Sequence, residues 1–129
     1  MFIEKEIKSI LEAINRFYED RFPLNEMSNY SGRELGLPVN IWIDGPRNLK
    51  HSKRIKVQNN YSNRFHEEDL ITLTISENPQ LGRTFKKVRI SAKDLDKVKS
   101  WIVLNKDLLL EYAEGNMSTR ELDSRLKSI

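Results

Sequence analysis

Apolar residues recur at spacings of three and four over the first twenty positions of the chain. Ile3, Ile7, Ile10, Leu11, Ile14, Phe17 and Tyr18 form one stripe, and Glu4, Lys8, Glu12 and Arg16 fall opposite it. That period predicts an amphipathic helix over about 2–21, ended by Phe22-Pro23, because proline disfavours a helical residue before it. From Pro23 to Pro38 the residues Asn25, Ser28, Asn29, Ser31, Gly32 and Gly36 break any period, which reads as a connection. From Val39 the period is two. Val39, Ile41 and Ile43 alternate with Asn40, Trp42 and Asp44, and Gly45-Pro46 turns the chain. Alternation returns over 54–58, over 70–75 and over 85–90. The loops between these runs leave no room for crossover helices, so a four-stranded antiparallel meander is expected over about 39–90.

Two helices are predicted after it. Ser91 stands as an N-cap three residues before Asp94, and Leu95, Val98, Ile102, Leu109 and Tyr112 then share a face widened by Trp101 and Leu108. This helix is expected over about 92–113, with Gly115 as a left-handed stop. Ser118-Thr119-Arg120-Glu121 is a capping box, with Met117 and Leu122 placed for a hydrophobic staple, and opens a short helix over 119–127. The expected fold class is α+β in one domain over 1–129: an N-terminal helix, the meander sheet, and two C-terminal helices packed on one sheet face. The helix 2–21 either caps the sheet or pairs with a second copy of the chain.

Composition narrows the function classes. In 129 residues there is no cysteine, which excludes disulfides, thiol nucleophiles and cysteine-ligated zinc, and only His51 and His66 supply imidazole. No apolar run reaches the ~18 residues of a membrane span. Charged helix from Met1 onward does not read as a signal peptide, so a cytoplasmic protein without membrane attachment is expected. The net charge of +3 is unevenly spread. From Gly45 to His66 there are six basic residues (Arg47, Lys50, Lys53, Arg54, Lys56 and Arg64) and no acid. Arg83, Lys86, Lys87 and Arg89 form a second stretch without an acid.

Period-two geometry turns this charge into a surface. With Ile41, Ile43, Ile55, Val57, Ile71, Leu73, Ile75, Val88 and Ile90 directed at the helices, the opposite face presents Trp42, Arg54, Lys56, Gln58, Thr72, Thr74, Lys87 and Arg89. Cations that neutralise phosphates beside an indole that stacks a base suit RNA, single-stranded DNA or a nucleotide. The expected ligand-binding set is Trp42, Arg47, Lys50, Lys53, Arg54, Lys56, Tyr61, Lys87 and Arg89. A wet sheet face carrying Lys, Arg and Thr is the competing explanation of the same pattern.

Catalytic signals are sparse. His66-Glu67-Glu68-Asp69 lacks the spacing of a metal site, so neither metal nor cofactor is expected. His51 beside Lys50, Lys53 and Arg54, or His66 with Tyr61 and Arg64, is the kit that metal-independent phosphodiester cleavage needs. Gly32-Arg33-Glu34-Leu35-Gly36 is not a phosphate loop, and Asn59-Asn60-Tyr61 reads first as a turn.

The strands Ile41-Trp42-Ile43-Asp44 and Arg54-Ile55-Lys56-Val57, joined by a polar loop, and the helix from Val98 through Trp101 to Tyr112 form a familiar order. Over about 39–113 the chain resembles a family of small bacterial and phage domains of unknown function, often encoded beside toxin–antitoxin-like partners. His51-Ser52-Lys53-Arg54 stands where that family tends to have Pro-His-x-His. The resemblance implies an accessory protein of a bacterium or mobile element and assigns no residue a role. The expected function is a small non-enzymatic binding protein for an anionic ligand. The alternatives are a metal-independent ribonuclease toxin, and a phage or mobile-element protein that inhibits a host protein by binding it.

Overall fold

Four short strands pair in sequence order, and each pairing is antiparallel. The structure, a computed structural model, describes residue 10 and residues 27–45 and 53–129. The strands are β1 (Met27–Tyr30), β2 (Ile41–Asp44), β3 (Arg54–Gln58) and β4 (Leu70–Thr74). Helix α1 (Gly32–Leu35) lies between β1 and β2, and α2 (Ala92–Leu104), α3 (Lys106–Ala113) and α4 (Thr119–Arg125) follow the sheet. Register sets Tyr30, Ile41, Val57 and Ile71 in one row, and Ile43, Ile55 and Leu73 in another on the same face. That face is buried in a single core with Val98, Trp101, Ile102, Leu109, Tyr112 and Leu122 from the helices. The expected inward-facing set is correct, and the class is α+β. The helix expected over 2–21 lies outside the described residues.

Two strand assignments are corrected. Met27-Ser28-Asn29-Tyr30 sits in the expected connection yet forms β1, the edge partner of β2. Of its residues only Tyr30 favours a strand, so the pairing comes chiefly from β2's unpaired edge, a tertiary effect that outweighs propensity. Residues 85–90 are the opposite case. They alternate as a strand does, with Val88 and Ile90 turned to the core, but they join no ladder. The outer edge of β4 is occupied by residues 80–82 instead: Thr74 N–H donates to Gln80 O at 3.0 Å and Gly82 N–H to Thr72 O at 2.8 Å. A Cβ on Gly82 would lie 2.0 Å from Thr72 Oγ1, so any larger residue in this return against β4 would have to displace the Thr72 hydroxyl.

The helix signals hold at their ends. Ser91 Oγ accepts Asp94 N–H, and Ser118 Oγ accepts Glu121 N–H at 3.2 Å. Gly115 takes the left-handed φ of 81° after α3. The single helix expected over 92–113 is divided at Asn105. Its side-chain amide donates to Trp101 O and Lys127 O and accepts Lys127 N–H, while Trp101 Nε1–H donates to Lys127 O. Asn105 thus exchanges helical continuity for a clasp on the C-terminal segment. Tyr30 Oη donates to Asp123, tying β1 to α4; burial pushes this phenol well above its ordinary range, and Asp123 adds to the shift.

Candidate functional site

Buried polar side chains do unusual structural work at the end of β3. Asn40, Gln58 and Asn59 are almost inaccessible to solvent, and buried amides are stable only when their donors and acceptors are matched. Gln58 Oε1 accepts His66 N–H at 2.9 Å, and its Nε2 donates to Asn60 Oδ1 at 2.9 Å and Ser62 O at 3.0 Å. Asn40 Nδ2 donates to Asn63 O and Arg64 O, both at 3.3 Å. Asn59 N–H donates to Asp69 O at 2.8 Å. These bonds shape the loop 59–69 from within. Asn59 then reaches across to the segment after the sheet: Nδ2 donates to Lys87 O and Oδ1 accepts Arg89 N–H, each at 2.8 Å. One side-chain amide stands in for a strand's ladder and holds 87–89 with Lys87 and Arg89 exposed.

Between this loop and this segment lies an open cleft of about 480 Å³, lined by Asn60, His66, Glu68, Asp69, Lys86, Lys87 and Arg89. The two carboxylates are engaged locally. Asp69 accepts Asn60 Nδ2–H at 2.8 Å and pairs with the Arg89 guanidinium. The Asn60 hydrogen bond, followed by the Arg89 charge, holds the Asp69 carboxyl below its ordinary range against the opposing cost of desolvation. Glu68 Oε1 lies 2.8 Å from His66 Nδ1; a bond to its own backbone and then the imidazole lower its pKa. Lys86 Nζ donates to Glu68 O at 2.6 Å. Lys86, Lys87 and Arg89 are all exposed. At the outer end of the segment Phe85 is 105% exposed, with Arg83 and Lys86 close in sequence and also exposed.

The structure separates the expected binding residues. Trp42 does not lie on an open surface: it is 1% exposed, with Phe65 edge-on at 5.4 Å. Lys56, across from Trp42 in register, lies 3.3 Å from the buried Asp44 and contacts Met27 Sδ at 3.2 Å. On this face Trp42 and Gln58 are closed to solvent, Arg54, Lys56, Thr72 and Thr74 are half-buried, and the Lys56 ammonium is paired with Asp44. Lys87 and Arg89 leave the sheet face altogether and join His66 at the cleft. Lys53 is exposed and Arg54 half-buried at the start of β3. Tyr61 acts at the start of α2, its hydroxyl donating to Asp94 at 2.6 Å and accepting Ser91 N–H at 2.9 Å. Arg47, Lys50 and His51 lie outside the described residues. Lys86 and Asn60 line the cleft and Phe85 stands exposed beside Lys86, although none of the three is in the expected binding set. The acid-free run 83–89 was the available signal, and assigning it to a strand obscured its geometry.

Comparison with family models, with curated proteins and with solved structures finds no match. Among the described residues, no three His, Asp or Glu side chains gather as a metal site requires, and no helix is long and apolar enough to cross a membrane.

Proposed function

We propose that the protein binds single-stranded nucleic acid along the segment 83–89 and in the cleft behind it. The observation that carries this reading is the fully exposed Phe85 among Arg83, Lys86 and Lys87, on a segment that Asn59 anchors at Lys87 and Arg89. A lone exposed phenylalanine means little. Set among cations beside a concave, hydrogen-bonding surface, it offers the two elements sequence-tolerant strand binding uses, a stacking platform and phosphate neutralisation. Lys87 and Lys86 contact phosphates, Arg89 is held in place by Asp69, and Asn60 offers polar contacts at the cleft floor. A duplex hides its base faces, which favours a single strand.

The test is a fluorescence anisotropy titration of a labelled single-stranded oligonucleotide between about 50 and 200 mM salt. Four phosphate contacts give a log–log slope near −2.8 and weaken binding about 50-fold over that range. Affinity independent of salt, or no binding at the lower concentration, rejects the reading.

A further inference from the structure

We propose that His66 is the general base of an RNA-cleaving site in this cleft, an inference that rests on the nucleic-acid reading above. An ionised carboxylate only accepts hydrogen bonds, so the 2.8 Å contact with Glu68 places a proton on His66 Nδ1. In the neutral ring the lone pair is then on Nε2, which lies 3.1 Å from Ser62 Oγ. A hydroxyl already occupies the place a substrate hydroxyl would take, and Ser62 Oγ also accepts Arg64 N–H at 3.2 Å. Gln58 holds the His66 backbone, so the ring is fixed at both ends of the residue. Lys86, Lys87 and Arg89 line the same cleft. An imidazole that lines a cleft with three cations, oriented by a carboxylate on one nitrogen and with a hydroxyl on the other, is an arrangement for moving a hydroxyl proton next to phosphate.

In the step, a ribose 2′-hydroxyl displaces Ser62 and gives its proton to Nε2. The 2′-oxygen attacks the adjacent phosphorus, the P–O5′ bond breaks, and the 5′-oxygen leaves with a proton from water. Cations offset the charge gathered on the phosphoryl oxygens, and the imidazolium returns its proton to solvent. The products are a 2′,3′-cyclic phosphate and a 5′-hydroxyl; no redox partner is involved.

The experiment incubates wild type, His66→Gln and Ser62→Ala with an RNA oligonucleotide and its deoxy counterpart in EDTA, measuring affinity and cleavage separately. Wild type is expected to bind both, to cut only the RNA and to leave cyclic phosphate ends. His66→Gln is expected to keep its RNA affinity and cut at least about 100-fold more slowly, the usual scale of acid–base assistance. Ser62→Ala, which frees Nε2, is expected to cut within about threefold of wild type, given that the base is retained. RNA held but uncut by wild type overturns the proposal and leaves the binding reading standing. Wild-type cleavage by His66→Gln also overturns it, as does loss of cleavage in a Ser62→Ala protein that still binds. Failure to bind either strand overturns both.

Discussion

The two basic stretches of this chain look alike in sequence and differ in what the fold does with them. In the stretch 53–56, Lys56 sits in a ladder, opposite Trp42 and Thr72, and its ammonium meets the buried Asp44. In the stretch 83–89 no ladder absorbs the residues. Asn59 fixes the backbone at 87–89, and the cations stand at the mouth of a cleft. Charge on a regular strand is drawn into the packing of that strand's rows, whereas charge on a segment held by one side chain stays exposed at a cleft, even with Arg89 paired to Asp69 and Lys86 donating to Glu68 O. What matters for binding is which backbone groups hold the segment, since that decides where its side chains go.

The strongest way to break the contrast is to remove its organiser. Gln58→Leu strips the loop of partners for His66 N–H and Ser62 O and takes one of two donors from Asn60 Oδ1, and orphaned buried groups cost about 1–3 kcal/mol each. A loss of about 3–5 kcal/mol is expected in chemical denaturation, together with loss of oligonucleotide binding. Stability within about 1 kcal/mol of wild type would mean that the loop is held by other means.

Phe85→Ala sharpens the contrast from the ligand's side. Affinity is expected to fall by about 1–3 kcal/mol, the worth of one stacked base. Denaturation midpoints should stay unchanged, because the ring buries nothing. Equal affinity of the variant and wild type would remove stacking from the account.

The smallest effect concerns Asp69. Its carboxyl titrates below the ordinary 3.8 in the folded protein, so folding is favoured above that value and the gain is lost as pH falls through the lowered one. Urea midpoints followed from pH 5 down to about pH 2 should therefore drop more steeply for wild type than for Asp69→Asn. Parallel curves would show that Asn60 and Arg89 contribute nothing to stability through this carboxylate.

What could be read in the sequence follows from how local each signal is. Strands β2, β3 and β4 announce themselves by period, and Ser91, Gly115 and Ser118 by capping chemistry that acts within a few residues. Strand β1 could not be read, because its reason for pairing lies in β2 rather than in Met27-Ser28-Asn29-Tyr30. The segment 85–90 has the right alternation, and only the Asn59 side chain, 28 residues away from Lys87, decides that it is no strand. Asn40, Gln58 and Asn59 carry polar labels that predict exposure, and their burial depends on partners in other elements. Trp42 follows the same rule: alternation sets it on the outer face of the sheet, where it is nevertheless closed to solvent. The cations were legible and their arrangement was not.

One matched pair of variants tests the central claim most directly. Lys86→Gln/Lys87→Gln and Lys53→Gln/Arg54→Gln remove equal charge, one pair from the cleft and the other from β3 and the residue before it. Anisotropy titrations of both against one single-stranded oligonucleotide, across a salt series, compare the regions at constant net charge. The account predicts at least about a tenfold loss of affinity and a salt slope shallower by about 1.4 for the cleft pair, with little change for the other. Equal losses from both pairs, or a larger loss from Lys53→Gln/Arg54→Gln, would contradict it.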